Sequence, residues 1–166
     1  MIQKSSIIDR VKRHIGEPLD CEGRFANEDM EMMFFTALHN FFIYSNIIIK
    51  EEVNKEKLLI GFNKIYMITD LSGCIINNAH YHIKGNRIFL YYPYHAIIYY
   101  KYTGNFEEKN FKDMIMYTEG LDHIAESSLF YFLLAEIETL DKNDPTLYTK
   151  KAIEYASKCK NDTIKT

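Results

Sequence analysis

Imidazoles and thiols are the side chains of this chain best suited by type to do chemistry, and their spacing defines what that chemistry would be. His80 and His82 alternate, so on a strand they share one face, and His95 lies where a following strand would bring it back across the sheet. Three imidazoles form a conceivable metal set. A ligand set usually also brings a carboxylate or thiol and oriented outer-shell acceptors, and only Asp70 and Cys74 stand near in sequence. Cysteine–histidine nucleophile pairs can be drawn as Cys21 with His14, Cys74 with His80, or Cys159 with His123, and nothing in the spacing selects one of them. The chain contains no GxSxG elbow, no GxxxxGK[ST] phosphate loop, no GxGxxG turn and no HExxH helix. The acidic pair Glu107-Glu108 lies in a polar loop where nothing apolar would raise a pKa. The expectation is a protein without catalytic residues, cofactor or metal. A small bacterial ligand- or metal-binding domain using His80, His82 and His95 is the alternative.

The histidines are carried by an aromatic stretch, YHIKGNRIFLYYPYHAIIYYKY, residues 81 to 102. Gly85-Asn86 is a two-residue loop of the kind that closes a hairpin with a primed turn, glycine at the first central position suiting type II′. That loop fixes a register: Lys84 opposes Arg87, Ile83 opposes Ile88, His82 opposes Phe89 and Tyr81 opposes Leu90. One face then carries Tyr81, Ile83, Ile88 and Leu90. The other carries His80, His82, Lys84, Arg87, Phe89 and Tyr91, side chains suited to a wet or partner-facing surface. Tyrosines this dense can stack bases or sugars, but such platforms interleave with cations, and only Arg87 and Lys101 do so here. Tyrosine offers a protein partner large rigid area with a polar tip, so an interface is the better expectation. The candidate interface residues are His80, His82, Arg87, Phe89, Tyr91 and Tyr94, joined by Lys158 and Lys160 near the C-terminus.

The elements that must position this stretch are legible in part. Ile7, Ile8, Val11 and Ile15 recur at helical spacing after a Ser5 or Ser6 cap, and Gly16 with Pro18 ends that helix. Asn27 caps a second helix through MEMMFFTALHNFFIYS, apolar on nearly every side. The charged KEEVNKEK reads as an exposed turn or helix end, which puts the start of the strand region near Leu58. KIYMITDL, the hairpin and AIIYYKY are strands, the last ended by Gly104. A short helical turn over Asn110 to Met116 follows. Thr118 or Asp122 opens a long helix through Leu140, and Asp144-Pro145 opens a last one that would present Leu147, Ile153 and Ala156 inward.

With 166 residues, 47% of them hydrophobic, the chain can bury one core without staples, and a single domain is expected: N-terminal helices over 1–57, an antiparallel β region over 58–104, C-terminal helices over 105–160 and a tail over 161–166. The expected fold class is α+β, a bundle of about four to five helices with an inserted small antiparallel sheet or hairpin. MIQKSSIIDRVKRH lacks the apolar core of a secretory leader, and three scattered cysteines suggest neither a disulfide framework nor a zinc knuckle. A net charge of -3 argues against a protein whose main work is to grip nucleic acid phosphates. Acidic residues crowd the stretch from Glu107 to Asp141, and lysines from Lys142 to Lys165 reverse the sign.

The order of helix, helix, hairpin YHIKGNRIFL, strand AIIYYKY and the helices LDHIAESSLFYFLLAEIETL and DPTLYTKKAIEYASK resembles the head-to-tail connector proteins of tailed bacteriophages. It is most similar to the adaptors of short-tailed phages, the tail tubular protein A class, and the resemblance spans about Ile7 to Cys159. It implies a structural virion protein at the head-tail junction, synthesised in the host cytoplasm. Its partners would be further copies of itself in a ring, commonly twelve-fold, the portal protein and a downstream tail protein. DNA would pass through the channel without sequence-specific binding, with no membrane involved. The resemblance also marks Lys158 to Thr166 as a docking arm toward the portal.

Overall fold

In the computed structural model, residues 1–59, 62–102, 108, 111–112, 118 and 120–160 are described. They divide into two compact units, a helical one from Met1–Asn46 and Asn105–Lys160, and a sheet unit within Ile47–Gly104.

The helical unit contains α1 (Lys4–Ile15), α2 (Asn27–Tyr44), α3 (Asp122–Leu140) and α4 (Thr146–Lys158). Gly16 ends α1 in the left-handed region at φ 75°, a conformation that costs glycine little, and its N–H donates back to the carbonyl of Arg13. α3 is apolar over most of its surface because it packs against α1, α2 and α4 at once, burying Leu129, Phe132, Leu133 and Ile137. Small residues let α4 lie close: Ala152 and Ala156 are fully buried, and the buried Ser128 hydroxyl of α3 donates 2.8 Å to the carbonyl of Ala152. Asp144 opens α4 by accepting from the N–H of Thr146 at 2.9 Å. Ala156 points inward as expected, whereas Leu147 is 62% exposed and Ile153 only half-buried.

The sheet unit has six strands, β1 (Ile48–Asn54), β2 (Glu56–Leu58), β3 (Phe62–Thr69), β4 (Tyr81–Lys84), β5 (Arg87–Leu90) and β6 (His95–Tyr102), in the order β3-β6-β1-β2-β5-β4. The β1–β2 link is the single pair Asn54↔Glu56 around Lys55, whose φ is 61°. The strands therefore form two three-stranded antiparallel halves, β3-β6-β1 and β2-β5-β4. Across the corner, Lys55 donates its N–H to Tyr94 at 2.7 Å and accepts from Leu90 at 2.7 Å. Ile49, Val53, Ile88, Ala96 and Ile98 are fully buried on the inner face.

Four α-helices stand among the described residues, within the expected four to five, but the expected helical bundle with an inserted small antiparallel sheet or hairpin is corrected: the strands make a six-stranded, bent sheet of two three-stranded halves, a compact unit of its own. The mixture is α+β only in the broad sense. The principal cause is KEEVNKEK. Most of it lies in β1 and β2, so strand begins at Ile48, ten residues before Leu58. Lys50 and Glu52 face outward, and Glu51 is offset by Lys57, whose ammonium lies 3.6 Å from its carboxylate. Of the expected helical turn over Asn110 to Met116, only Phe111 and Lys112 are described, and both are helical; its other residues, the end at Gly104, and Glu107, Glu119 and residues 161–166 of the tail lie outside the described residues.

Candidate functional site

The hairpin has the register its loop dictates: Tyr81↔Leu90, His82↔Phe89, Ile83↔Ile88 and Lys84↔Arg87. Gly85 has φ 59°, and Asn86 is not among the positive-φ residues, which is the type II′ pattern. Ile88 and Leu90 are buried and Tyr81 and Ile83 half-buried, so this face supplies the core, while His82, Lys84, Arg87 and Tyr91 are exposed.

On the outer face the side chains organise one another. The His82 ring stacks on Phe89, with centroids 4.7 Å apart and planes within 7°, and on Tyr91 at 5.2 Å and 22°. Arg87 pairs with Glu56 of the neighbouring strand at 3.5 Å. His80 lies in a 3-10 turn, Asn78–His80, just before β4, and its carbonyl accepts from the N–H of Tyr91 at 2.7 Å. Tyr91, Tyr92 and Tyr94 follow at the bend, 53%, 69% and 56% exposed. Tyr92 meets Tyr94 edge-on at 6.5 Å, and the Lys55 ammonium lies 6.0 Å from the Tyr94 ring. Hairpin and bend together are a preorganised aromatic surface with a polar border.

The other candidates are distributed elsewhere. Lys158 closes α4 and pairs with Glu154 at 2.9 Å, and Lys160 is exposed beside Asn46; both belong to the helical unit. His95 opens β6 opposite Asn54, and in the strand order β1, β2 and β5 stand between β6 and β4. Among the described residues, no three His, Cys, Asp or Glu side chains converge in a way that could hold a metal ion. The three imidazoles are not brought together. The sequence reading also missed Lys55 and Glu56, which border the surface, because it placed their segment in a turn. The alternation of Ile49, Glu51 and Val53 with Lys50, Glu52 and Asn54 was the available signal.

Among the thiols, Cys21 and Cys74 are exposed and Cys159 is buried, where burial pushes its pKa up to about 11 and leaves it protonated. Cys74 ends a tight turn held by Asp70. That carboxylate accepts from the hydroxyl of Ser72 at 2.6 Å and the N–H of Cys74 at 2.9 Å, bonds that hold its pKa below the usual range. It serves the turn. A cleft of 1030 Å³ in the sheet unit is lined by Ile65 to Ile68, Ile75 to Ala79 and Tyr81, apolar, amide and phenol groups with no carboxylate, imidazole or amine among them.

No protein-family model matches the chain, and no curated protein matches it either. Among the described residues, no helix is long and apolar enough to cross a membrane.

Proposed function

We propose that this protein is a non-catalytic structural subunit that works by assembly, as a head-to-tail connector of a tailed bacteriophage. In this reading it joins copies of itself in a ring on the portal protein at the head-tail junction of the virion. The ring extends the DNA channel and offers a platform to the next tail protein. The observation that carries it is the outer hairpin surface. His82, Phe89 and Tyr91 are already stacked, and three half- to two-thirds-exposed tyrosines stand at the bend, so a partner gains rigid apolar area at little ordering cost. The sheet is larger than the inserted one that the resemblance, resting on element order and the hairpin phrase, implied. The reading therefore stands on this surface more than on element order.

The test is electron microscopy of the protein mixed with candidate phage portals, with mass photometry of the protein alone as control. The expected result is a ring seated on a portal, lost in a Tyr92→Ser/Tyr94→Ser variant that keeps its thermal midpoint. A protein that stays monomeric beside every portal offered, with the surface intact, would sink the reading.

A further inference from the structure

A second surface, in the helical unit, has a different chemistry. α1, α3 and α4 border a groove of 590 Å³ whose polar and aromatic lining is Arg10, Arg13, His14, Phe130, Tyr131, Tyr148 and Lys151. Arg10, Arg13 and Lys151 are exposed, none of them has an ion-pair partner among the described residues, and no carboxylate lines the groove. The acidic residue of α4 is Glu154, which pairs with Lys158 and also feels the charge of Lys151 without lining the groove. The chain as a whole carries -3, but this groove is cationic.

Its rings are ordered. Tyr131 stacks with Tyr148 at 6.3 Å and 22°, and with Tyr155 at 5.8 Å and 11°. The Lys151 ammonium sits 5.3 Å from the Tyr131 centroid, and the Arg10 guanidinium sits 4.3 Å from that of Phe130. His14 meets Phe130 and Tyr148 edge-on at 5.6 and 6.4 Å. Tyr131 and Tyr148 are half-buried, so each keeps part of its ring at solvent. Arg10 is held on the buried Phe130 ring and Lys151 on the partly open Tyr131 ring, so cations stand beside open tyrosine faces, which suits a ligand that is anionic along one edge and flat and aromatic along the other. A purely acidic peptide would use the charges and leave the rings idle.

We propose that the groove between α1, α3 and α4 binds the base-bearing phosphate chain of single-stranded nucleic acid, with Arg10, Arg13 and Lys151 on phosphates and Tyr148 against a base. This inference does not rest on ring assembly. Three neutralised phosphates give a slope of log K on log salt of about -2, so affinity falls about 20-fold between about 50 and about 200 mM salt.

The experiment is fluorescence anisotropy of a labelled oligothymidylate of about 16 nucleotides, the upper end of the site size of one small domain, titrated with the full chain. Competitors are a thymidine mononucleotide, a duplex and poly-glutamate. The expected result is saturable binding with that salt slope. An Arg13→Gln/Lys151→Gln variant should lose at least about tenfold and bring the slope near -0.7. Tyr148→Leu should lose about tenfold, whereas Tyr148→Phe, which keeps the ring, binds as before. A Lys50→Gln/Lys64→Gln control removes two lysines of the sheet unit that also sit near tyrosine rings and leaves binding unchanged. Thermal midpoints establish that each variant is folded. Competition by the oligomer and not by the mononucleotide at equal phosphate concentration supports the proposal. Any of five results overturns it: no binding at low salt, the double variant binding unchanged, Tyr148→Phe losing as much as Tyr148→Leu, displacement by poly-glutamate or duplex as efficient as by the oligomer itself, or displacement by the mononucleotide as efficient as by the oligomer at equal phosphate concentration.

Discussion

The stack of His82 on Phe89 and Tyr91 sets the outer face of the hairpin, and its contribution can be worked from its geometry. His82 and Phe89 are directly opposed across two antiparallel strands, with ring planes within 7° and centroids 4.7 Å apart. A cross-strand pair of this type contributes about 0.2–1 kcal/mol and an aromatic pair about 0.5–1.5 kcal/mol beyond area burial. His82 is exposed and Phe89 half-buried, which favours the lower ends, so the expected coupling is about 0.7 kcal/mol. The His82→Ala single variant also loses the Tyr91 contact and should cost about 1 kcal/mol. With a urea slope of about 2 kcal/mol/M, that moves the midpoint by about 0.5 M. The assay is urea unfolding of the wild type, His82→Ala, Phe89→Ala and the double variant, followed by far-UV circular dichroism and by tyrosine fluorescence. The chain has no tryptophan to obscure the tyrosine signal. Strictly additive single variants would show that the stacked rings do not support each other, and the preorganised surface would lose its physical basis.

Three further outcomes are expected. Ile88→Ala empties a fully buried site on the inner face of the hairpin and should cost about 3 kcal/mol in the same unfolding measurement. Burial raises the pKa of Glu136 above its ordinary 4.5, so the native state holds its proton more tightly than the unfolded chain does. Its contribution therefore falls as pH rises from about 4.5 through the raised value, and Glu136→Gln should raise the thermal midpoint at pH 7 while changing it little at pH 4, read by melts across that range. Ellman's reagent should titrate Cys21 and Cys74 rapidly in the native protein and reach Cys159 only after denaturation, since that thiol is both buried and held protonated with a pKa of about 11.

How far the sequence reveals the fold depends on how local each determinant is. The hairpin register was legible because two residues, Gly85 and Asn86, determine it without help from the rest of the chain. The four α-helices were legible from apolar spacing and from Gly16 and Asp144 at their ends. β1 was not, because its outward residues Lys50 and Glu52 are charged and its inner Glu51 is accommodated by Lys57, a partner known only once the corner at Lys55 is formed. The same holds for the sites. His82 and Phe89 are predictable neighbours, whereas the approach of Arg10 on α1 to Phe130 on α3 spans 120 positions and leaves no local trace.

The helical unit is also discontinuous in the chain, its halves separated by the whole of the sheet unit. During synthesis α2 is complete at Tyr44, yet the first residue of α3, its main packing partner, is Asp122, 122 - 44 = 78 residues later. At about 5–20 residues per second, the greasy face of Met33, Phe34, Leu38 and Phe41 waits roughly 4–16 s for its cover. The sheet segment, contiguous from Ile47, can close in the meantime. Nascent chains stalled between the sheet segment and Asp122 would then carry a folded sheet together with an unprotected apolar helix, and it is at that length that a chaperone has most to hold.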